Sequence, residues 1–203
     1  MIKIAVLVSG NGTNLQALIN AWKEGSLEGG ELSLVISSAS NAGALKRAEK
    51  VGIKTQVIER KMYKEMSGFD NAVCKTLSDN NIDFVVLAGF MSILGNQTLK
   101  KYEDRIINVH PALIPSFCGK GFYGIRVHKA ALEYGVKISG ATVHFVTDVV
   151  DGGKIILQKA VDVLPEDTPE LLQRRIMEEA EWIILPQAVK MICRGEIDFG
   201  GTK

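Results

Sequence analysis

The chain has 203 residues, 46% of them hydrophobic and 23% charged, as expected of a globular chain with a sizeable buried core. A formal net charge of +1 supplies no global field for nucleic acid or for a membrane surface, and no apolar run approaches the ~20 residues of a bilayer span. Cys74, Cys118 and Cys193 form neither a disulfide framework nor a metal-ligand spacing, and "MIKIAVLVSG" lacks the basic start and cleavage site of a leader. The expectation is a cytoplasmic, reduced protein with no nucleic-acid or membrane partner.

In chain order, "IKIAVLV" is a short continuous apolar run, the mark of a strand buried on both faces. "NLQALINAW" follows with helical spacing, then the strand "LSLVIS". "NAGALKRAEKVG" is a helix with Asn41 as N-cap and Gly52 as its stop. The strand "KTQVIE", a polar helix over about 63–80, the strand "DFVVLAG", the short helix "NQTLKKYED" and the strand "RIINV" complete this half. The βαβα order predicts an open, mostly parallel twisted sheet of the α/β, Rossmann-like class with helices on both faces.

The second half opens on the Gly-rich loop "SFCGKGFYG" and a short helix bearing His128. "SGATVHFV" and "KIILQKAV" are β-rich and could pair antiparallel around the turn "TDVVDGG", making the sheet mixed. A long helix over about 169–194 contains Pro186, which should kink or split it. No repeat or linker interrupts the chain, so the expectation is a single domain over 1–203 with two functional halves, 1–110 and 111–203.

Ligands of open α/β sheets bind outside the carboxyl ends of the parallel strands. Three polar stretches follow such ends: "SGNGTN", "AGFMS" and "NVHP". In "SGNGTN", Gly10 and Gly12 allow close approach to the backbone, the following helix offers its N-terminal amides, and Thr13 and Asn14 add donors, a cradle for a single phosphate. The third glycine of a dinucleotide fingerprint is replaced by Leu15, and the Lys-Ser/Thr of a Walker loop is missing. A plain βα turn fits the same residues equally well.

Residues i and i+2 of a strand share a face, so Asn108 and His110 point together, and Pro111 stops the strand behind them. An amide donor beside a titratable imidazole suits a carbonyl oxygen that becomes anionic. No "GxSxG" is present and Cys118 has no basic partner nearby in sequence, so the nucleophile is expected to be the substrate. "HFVTDVVDGG" offers Asp148 and Asp151. Asp151-Gly152 is the stronger turn signal, which leaves Asp148 as the candidate to hold His110 cationic and to collect a proton. His144 shares a strand face with Thr142 and reads as structural, with a water-mediated role beside Asn108 and His110 as the sharper option. His110, His128 and His144 lie far apart in sequence, and no metal is implied.

Taken together, "VLVSGNGTNLQALI", "VVLAGFMSIL", "INVHPALIPSF" and "SGATVHFVTDVVDGGKIILQ" resemble the glycinamide ribonucleotide transformylases over nearly the whole chain. The resemblance implies the formyltransferase fold, with 1–110 as the phosphate-substrate half and 111–203 as the folate and catalytic-loop half. It implies formyl transfer from 10-formyltetrahydrofolate, a co-substrate, to the amine of 5′-phosphoribosylglycinamide in purine synthesis, by a monomer or homodimer acting on small molecules. It places catalysis on Asn108, His110 and Asp148, and the phosphoribosyl end on Asn11, Gly12, Thr13, Asn14 and Glu181. Folate falls on Met91, Ser92, Ile93 and Leu94 and on the stretch from Val143 to Asp148, and His128 matches the second histidine of the family's loop.

Ser92 stands where many of these proteins have an arginine, so one ligand contact is either lost or supplied from elsewhere, with Lys and Arg of residues 60–64 as candidates, and the loop 116–124 is longer than usual. Two relatives share the pattern. A methionyl-tRNA formyltransferase would add a basic C-terminal β domain. A formyltetrahydrofolate hydrolase would place a regulatory domain before the first strand, and here that strand is expected at residue 2. A folate- or nucleotide-binding regulator on the same fold is the non-enzymatic alternative.

Overall fold

The computed structural model describes residues 1–198; the last five residues of the 1–203 range fall outside it. Seven strands form one sheet in the order β3-β2-β1-β4-β5-β6-β7: β1 (Ile2–Val8), β2 (Gly30–Ser37), β3 (Lys54–Val57), β4 (Phe84–Leu87), β5 (Ile106–His110), β6 (Ile138–Phe145) and β7 (Ile155–Asp162). β1 to β5 are mutually parallel, and β6 and β7 add an antiparallel edge. The mixed sheet is the one the sequence predicts, and it takes strands from both halves of the chain.

The apolar runs are continuous because both faces are covered. Ile4, Val6 and Val8 of β1 face a core shared with helices α1 (Thr13–Lys23), α2 (Gly43–Glu49), α5 (Ile125–Tyr134), α6 (Pro169–Ile176) and α7 (Trp182–Cys193). Ala5 and Leu7 face the other way, onto α3 (Met66–Asp79) and the residues around α4 (Asn96–Lys101). Every residue from Ile4 to Val8 is fully buried. Burial on this scale contributes roughly 25 cal/mol per Å² of apolar surface and is what holds the layers together.

Two local expectations change. Asn41 does not cap α2: the helix begins at Gly43 after Ala42, with no side-chain cap. Instead the Ala44 amide donates to the Gly10 carbonyl at 3.2 Å, so the loop after β1 satisfies one of the amides left open at the helix start. The C-terminal helix is divided, but not at Pro186, which lies inside α7. The break is a π-helical turn, Met177–Glu181, five residues before the proline. Such single wide turns recur where a side chain must be aimed at a site, and this one carries Glu181.

The chain passes from β1 to β2 and β3 on one side, then returns to β4 and β5 on the other. The strand order therefore reverses between β1 and β4, and the crevice opens at the carboxyl ends of β1, β4 and β5. The β6–β7 connection folds back over this end. It is clamped by the bond from the Phe145 amide to the Lys154 carbonyl, 2.9 Å. A Cβ on Gly153 would lie 1.8 Å from the Phe145 carbonyl oxygen, so only glycine permits this approach. Gly153→Ala should lower stability by roughly 2 kcal/mol or more, since the blocking atom is backbone and cannot swing aside. A thermal melt checks this, and an unchanged melting temperature would contradict the close packing.

Candidate active site

β5 ends on the two polar side chains as the spacing requires. Asn108 is half-buried at the crevice and His110 is 4% exposed. The antiparallel register sets Asn108 opposite His144 and His110 opposite Thr142. His144 Nδ1 donates to the Phe145 carbonyl at 2.8 Å, which leaves Nε2 to accept from the Asn108 amide at 3.2 Å. His144 is therefore part of the polar group at the strand end and fixes the orientation of Asn108. One N–H of the Asn108 amide is committed to it and the other is left for a ligand.

The carboxylate beside this group is Asp151. Its Oδ2 lies 3.6 Å from His110 Nδ1 and its Oδ1 3.7 Å from His144 Nε2. The Gly119 amide donates to Oδ2 at 2.8 Å. Asp148, chosen from the sequence as the acid, is instead exposed on the rim of the crevice. The turn explains the exchange: Asp151 takes a left-handed φ of 56°, and Gly152 and Gly153 let the chain press back onto β6. Turn former and site residue are the same residue.

Two charge effects compete here. Burial raises the Asp151 carboxyl, but the attraction of the His144 and His110 rings in their protonated forms, with the Gly119 amide, outweighs it and holds the group below the usual carboxylate range. Burial pulls the His110 imidazole down more strongly than Asp151 and the Phe117 carbonyl raise it. The expectation of a cationic His110 is thus reversed for the ligand-free site. His110 Nε2 donates to the Phe117 carbonyl at 2.8 Å, so the neutral ring turns an unprotonated Nδ1 toward Asp151. Through Phe117 and Gly119 the loop 116–124 holds both members of the pair. Cys118, on the same loop, has its thiol pushed up by burial and by the Asp151 charge, away from thiolate character. Beneath the site His128 is fully buried on α5, with neither ring nitrogen hydrogen-bonded, and burial followed by His110's charge takes it down to about 4.

These groups line a cavity of about 860 Å³, within the range of small-molecule sites. The loop after β1 lines it with Asn11, Gly12, Thr13 and Asn14. Among the described residues, none of their backbone amides has an acceptor within the chain. Asn14 Nδ2 donates to Glu181 at 2.6 Å, across 167 residues of sequence. Glu181 is buried, and desolvation, eased by the Asn14 amide, pushes it up to about 7. The loop after β4 lines it with Met91, Ser92, Ile93 and Leu94; Met91 and Ile93 are exposed and Leu94 is buried. Ser9 ties these two loops together, accepting from the Met91 amide at 2.8 Å and bonding Ser38 at 2.6 Å.

Val143, assigned from the family resemblance to the folate side, is fully buried in the core opposite Val109 and does not line the cavity. None of residues 60–64 lines the cavity. Arg60 is committed to the Tyr63 carbonyl, and Lys120 is the one lysine or arginine among the cavity-lining described residues.

Residues 2–189 match the model of the formyl transferase family. The phosphoribosylglycinamide formyltransferase of Haemophilus influenzae is 37% identical over 197 residues, 97% of this chain and 90% of that protein. The trifunctional purine biosynthetic protein adenosine-3 of Gallus gallus is 43% identical over 199 residues; the chain spans 19% of that longer protein. The crystal structure of glycinamide ribonucleotide transformylase 1 from Symbiobacterium toebii superposes with a TM-score of 0.91 at 41% identity, covering 99% of this chain and 92% of that one. The chain belongs to the formyl transferase family, and within it to the phosphoribosylglycinamide formyltransferases.

The buried glutamate gives a pH prediction. Glu181 titrates near 7 in the folded protein and near 4.5 when unfolded. The folded state therefore binds more protons between these values, and stability is lost as pH rises through the window. Glu181→Gln keeps an acceptor for Asn14 and removes the charge. Its stability relative to wild type should rise from pH 5 to pH 7 and level off above, by on the order of 3 kcal/mol. Denaturant melts across pH 5–8 check this, and a pH-independent difference would contradict a buried carboxyl that ionises late.

Proposed function

We propose that the protein transfers the formyl group of 10-formyltetrahydrofolate to the primary amine of 5′-phosphoribosylglycinamide, a step of purine synthesis, and does so in the cytoplasm as a monomer or homodimer. The observation that carries this reading is that one cavity is lined by the free backbone amides of residues 11–14, by the apolar side chains of Met91, Ile93 and Leu94, and by Asn108, His110 and Asp151. Residues 1–110 supply the amides for the phosphate, and residues 111–203 supply Asp151 and the loop. Glu181 and Asn14 meet the sugar. Met91, Ser92, Ile93 and Leu94, together with residues 146–150, receive the folate.

In this mechanism the substrate amine attacks the formyl carbon. The free N–H of Asn108 donates to the formyl oxygen as it becomes anionic. The proton leaving the amine passes to the unprotonated Nδ1 of His110, and Asp151 stabilises the imidazolium that forms. That proton is then delivered to the folate nitrogen as its bond to carbon breaks. One C–N bond forms, one breaks, and the proton moves from amine to leaving group, so no protein nucleophile is required. The elevated Cys118 thiol agrees with this.

Purified protein with 10-formyltetrahydrofolate should release tetrahydrofolate only when the phosphoribosylglycinamide amine is present. Asp151→Asn should cut turnover by roughly 10²–10⁴-fold, whereas Asp148→Asn, on the folate-receiving stretch, should keep kcat near wild type and show any loss in the KM for the formyl donor. Release without the amine would make the protein a hydrolase. Loss on changing Asp148 but not Asp151 would overturn the proton path.

A further inference from the structure

The amides of the phosphate end must point into the cavity to serve an anion, and an isolated Gly-rich loop has no reason to hold them there. Helix α2 lies against the back of the loop. A Cβ on Gly12, whose φ is 72°, would meet the Ala44 Cβ at 2.5 Å. The Ala44 amide donates to the Gly10 carbonyl at 3.2 Å. One turn further along the same face, Arg47 Nε donates to the Asn11 carbonyl at 2.8 Å, and its Nη1 donates to Gln16 on α1 at 3.0 Å.

In a planar trans peptide the C=O and the next N–H point in opposite directions. The bond from Ala44 to the Gly10 carbonyl therefore turns the Asn11 N–H away from α2, and the bond from Arg47 to the Asn11 carbonyl does the same for the Gly12 N–H. These two amides precede those of Thr13 and Asn14 at the start of α1. All four residues line the cavity, and none of the four amides has an acceptor among the described residues.

We propose that Arg47 is a positioning residue for the substrate anion: its guanidinium grips the loop from behind and aims consecutive backbone amides at a phosphate monoester it does not itself touch. This rests on the function proposed above, since the anion is the phosphate of that substrate. Lysine can reach one acceptor but cannot join the Asn11 carbonyl to Gln16 through two fixed N–H groups. Lys46, the neighbouring residue on α2, is exposed and makes no such bond, so it carries charge without the grip.

The test compares Arg47→Met, Arg47→Lys and Lys46→Met in steady-state assays with phosphoribosylglycinamide and with its dephosphorylated nucleoside. Arg47→Met should raise KM for the phosphorylated amine on the order of tenfold or more, with kcat and the KM for the formyl donor little changed. The penalty should disappear with the nucleoside. Arg47→Lys should recover part of the loss, and Lys46→Met should behave as wild type.

An equal penalty with both amines, or an equal penalty in Lys46→Met, would overturn the positioning role in favour of a fold defect or a general field. If Arg47→Met fails to fold by circular dichroism, the same split is read from Arg47→Lys: a KM rise confined to the phosphorylated amine supports the proposal, and its absence overturns it. Failure of the functional reading is a separate result, because there the wild type itself would not formylate the phosphorylated amine.

Discussion

The candidate active site depends on one carboxylate. Asp151 lies between the His110 and His144 rings and accepts the Gly119 amide, so it joins the end of β5, the end of β6 and the Gly-rich loop at one point. Each contact is modest alone. A hydrogen bond to a charged group is worth about 1.5–3 kcal/mol, and the two ring contacts are longer than a good hydrogen bond. Together they orient an acid that would otherwise be a mobile turn residue, and the two glycines behind it make its position reachable. With the carboxylate there, the unprotonated edge of His110 has a partner ready for the proton it is proposed to accept.

The parallel sheet delivers the remaining groups. Because β1, β4 and β5 are neighbours at the reversal of strand order, three loops far apart in sequence open on one crevice. The π-helical turn brings Glu181 to the first of these loops, where Asn14 meets it. Helix α2 holds the same loop from the opposite side. The loop after β1 is thus held by α2 and by the π-helical turn, the latter 167 residues away along the chain at its contact, and the loop's own sequence accounts for only part of its shape.

What could be read from the sequence followed short-range periodicity. The alternation of apolar runs and helical stretches gave the mixed sheet, and the spacing of Asn108 and His110 placed both at one strand end. Four readings needed distances that periodicity does not carry. An Asp-Gly pair signals a turn, and only the return of that turn onto Phe145 makes Asp151 a residue of the candidate site as well. His144 looked structural until the β5–β6 register set it across from Asn108. Val143 belongs to the core because strand residues alternate and its neighbour His144 takes the site face. Asn41 lost its capping role to a loop carbonyl more than 30 residues earlier. The cationic state expected of His110 failed for a different reason: desolvation at 4% exposure outweighs a carboxylate 3.6 Å away.

The central claim is that Asp151, and not Asp148, is the charge that His110 feels. The direct measurement is the pH titration of the His110 ring by nuclear magnetic resonance in the wild type, Asp151→Asn and Asp148→Asn. The account predicts a wild-type value below that of an ordinary imidazole, a further fall in Asp151→Asn because a stabilising anion is lost, and no change in Asp148→Asn. A His110 titration that moves in Asp148→Asn and stays fixed in Asp151→Asn would contradict it.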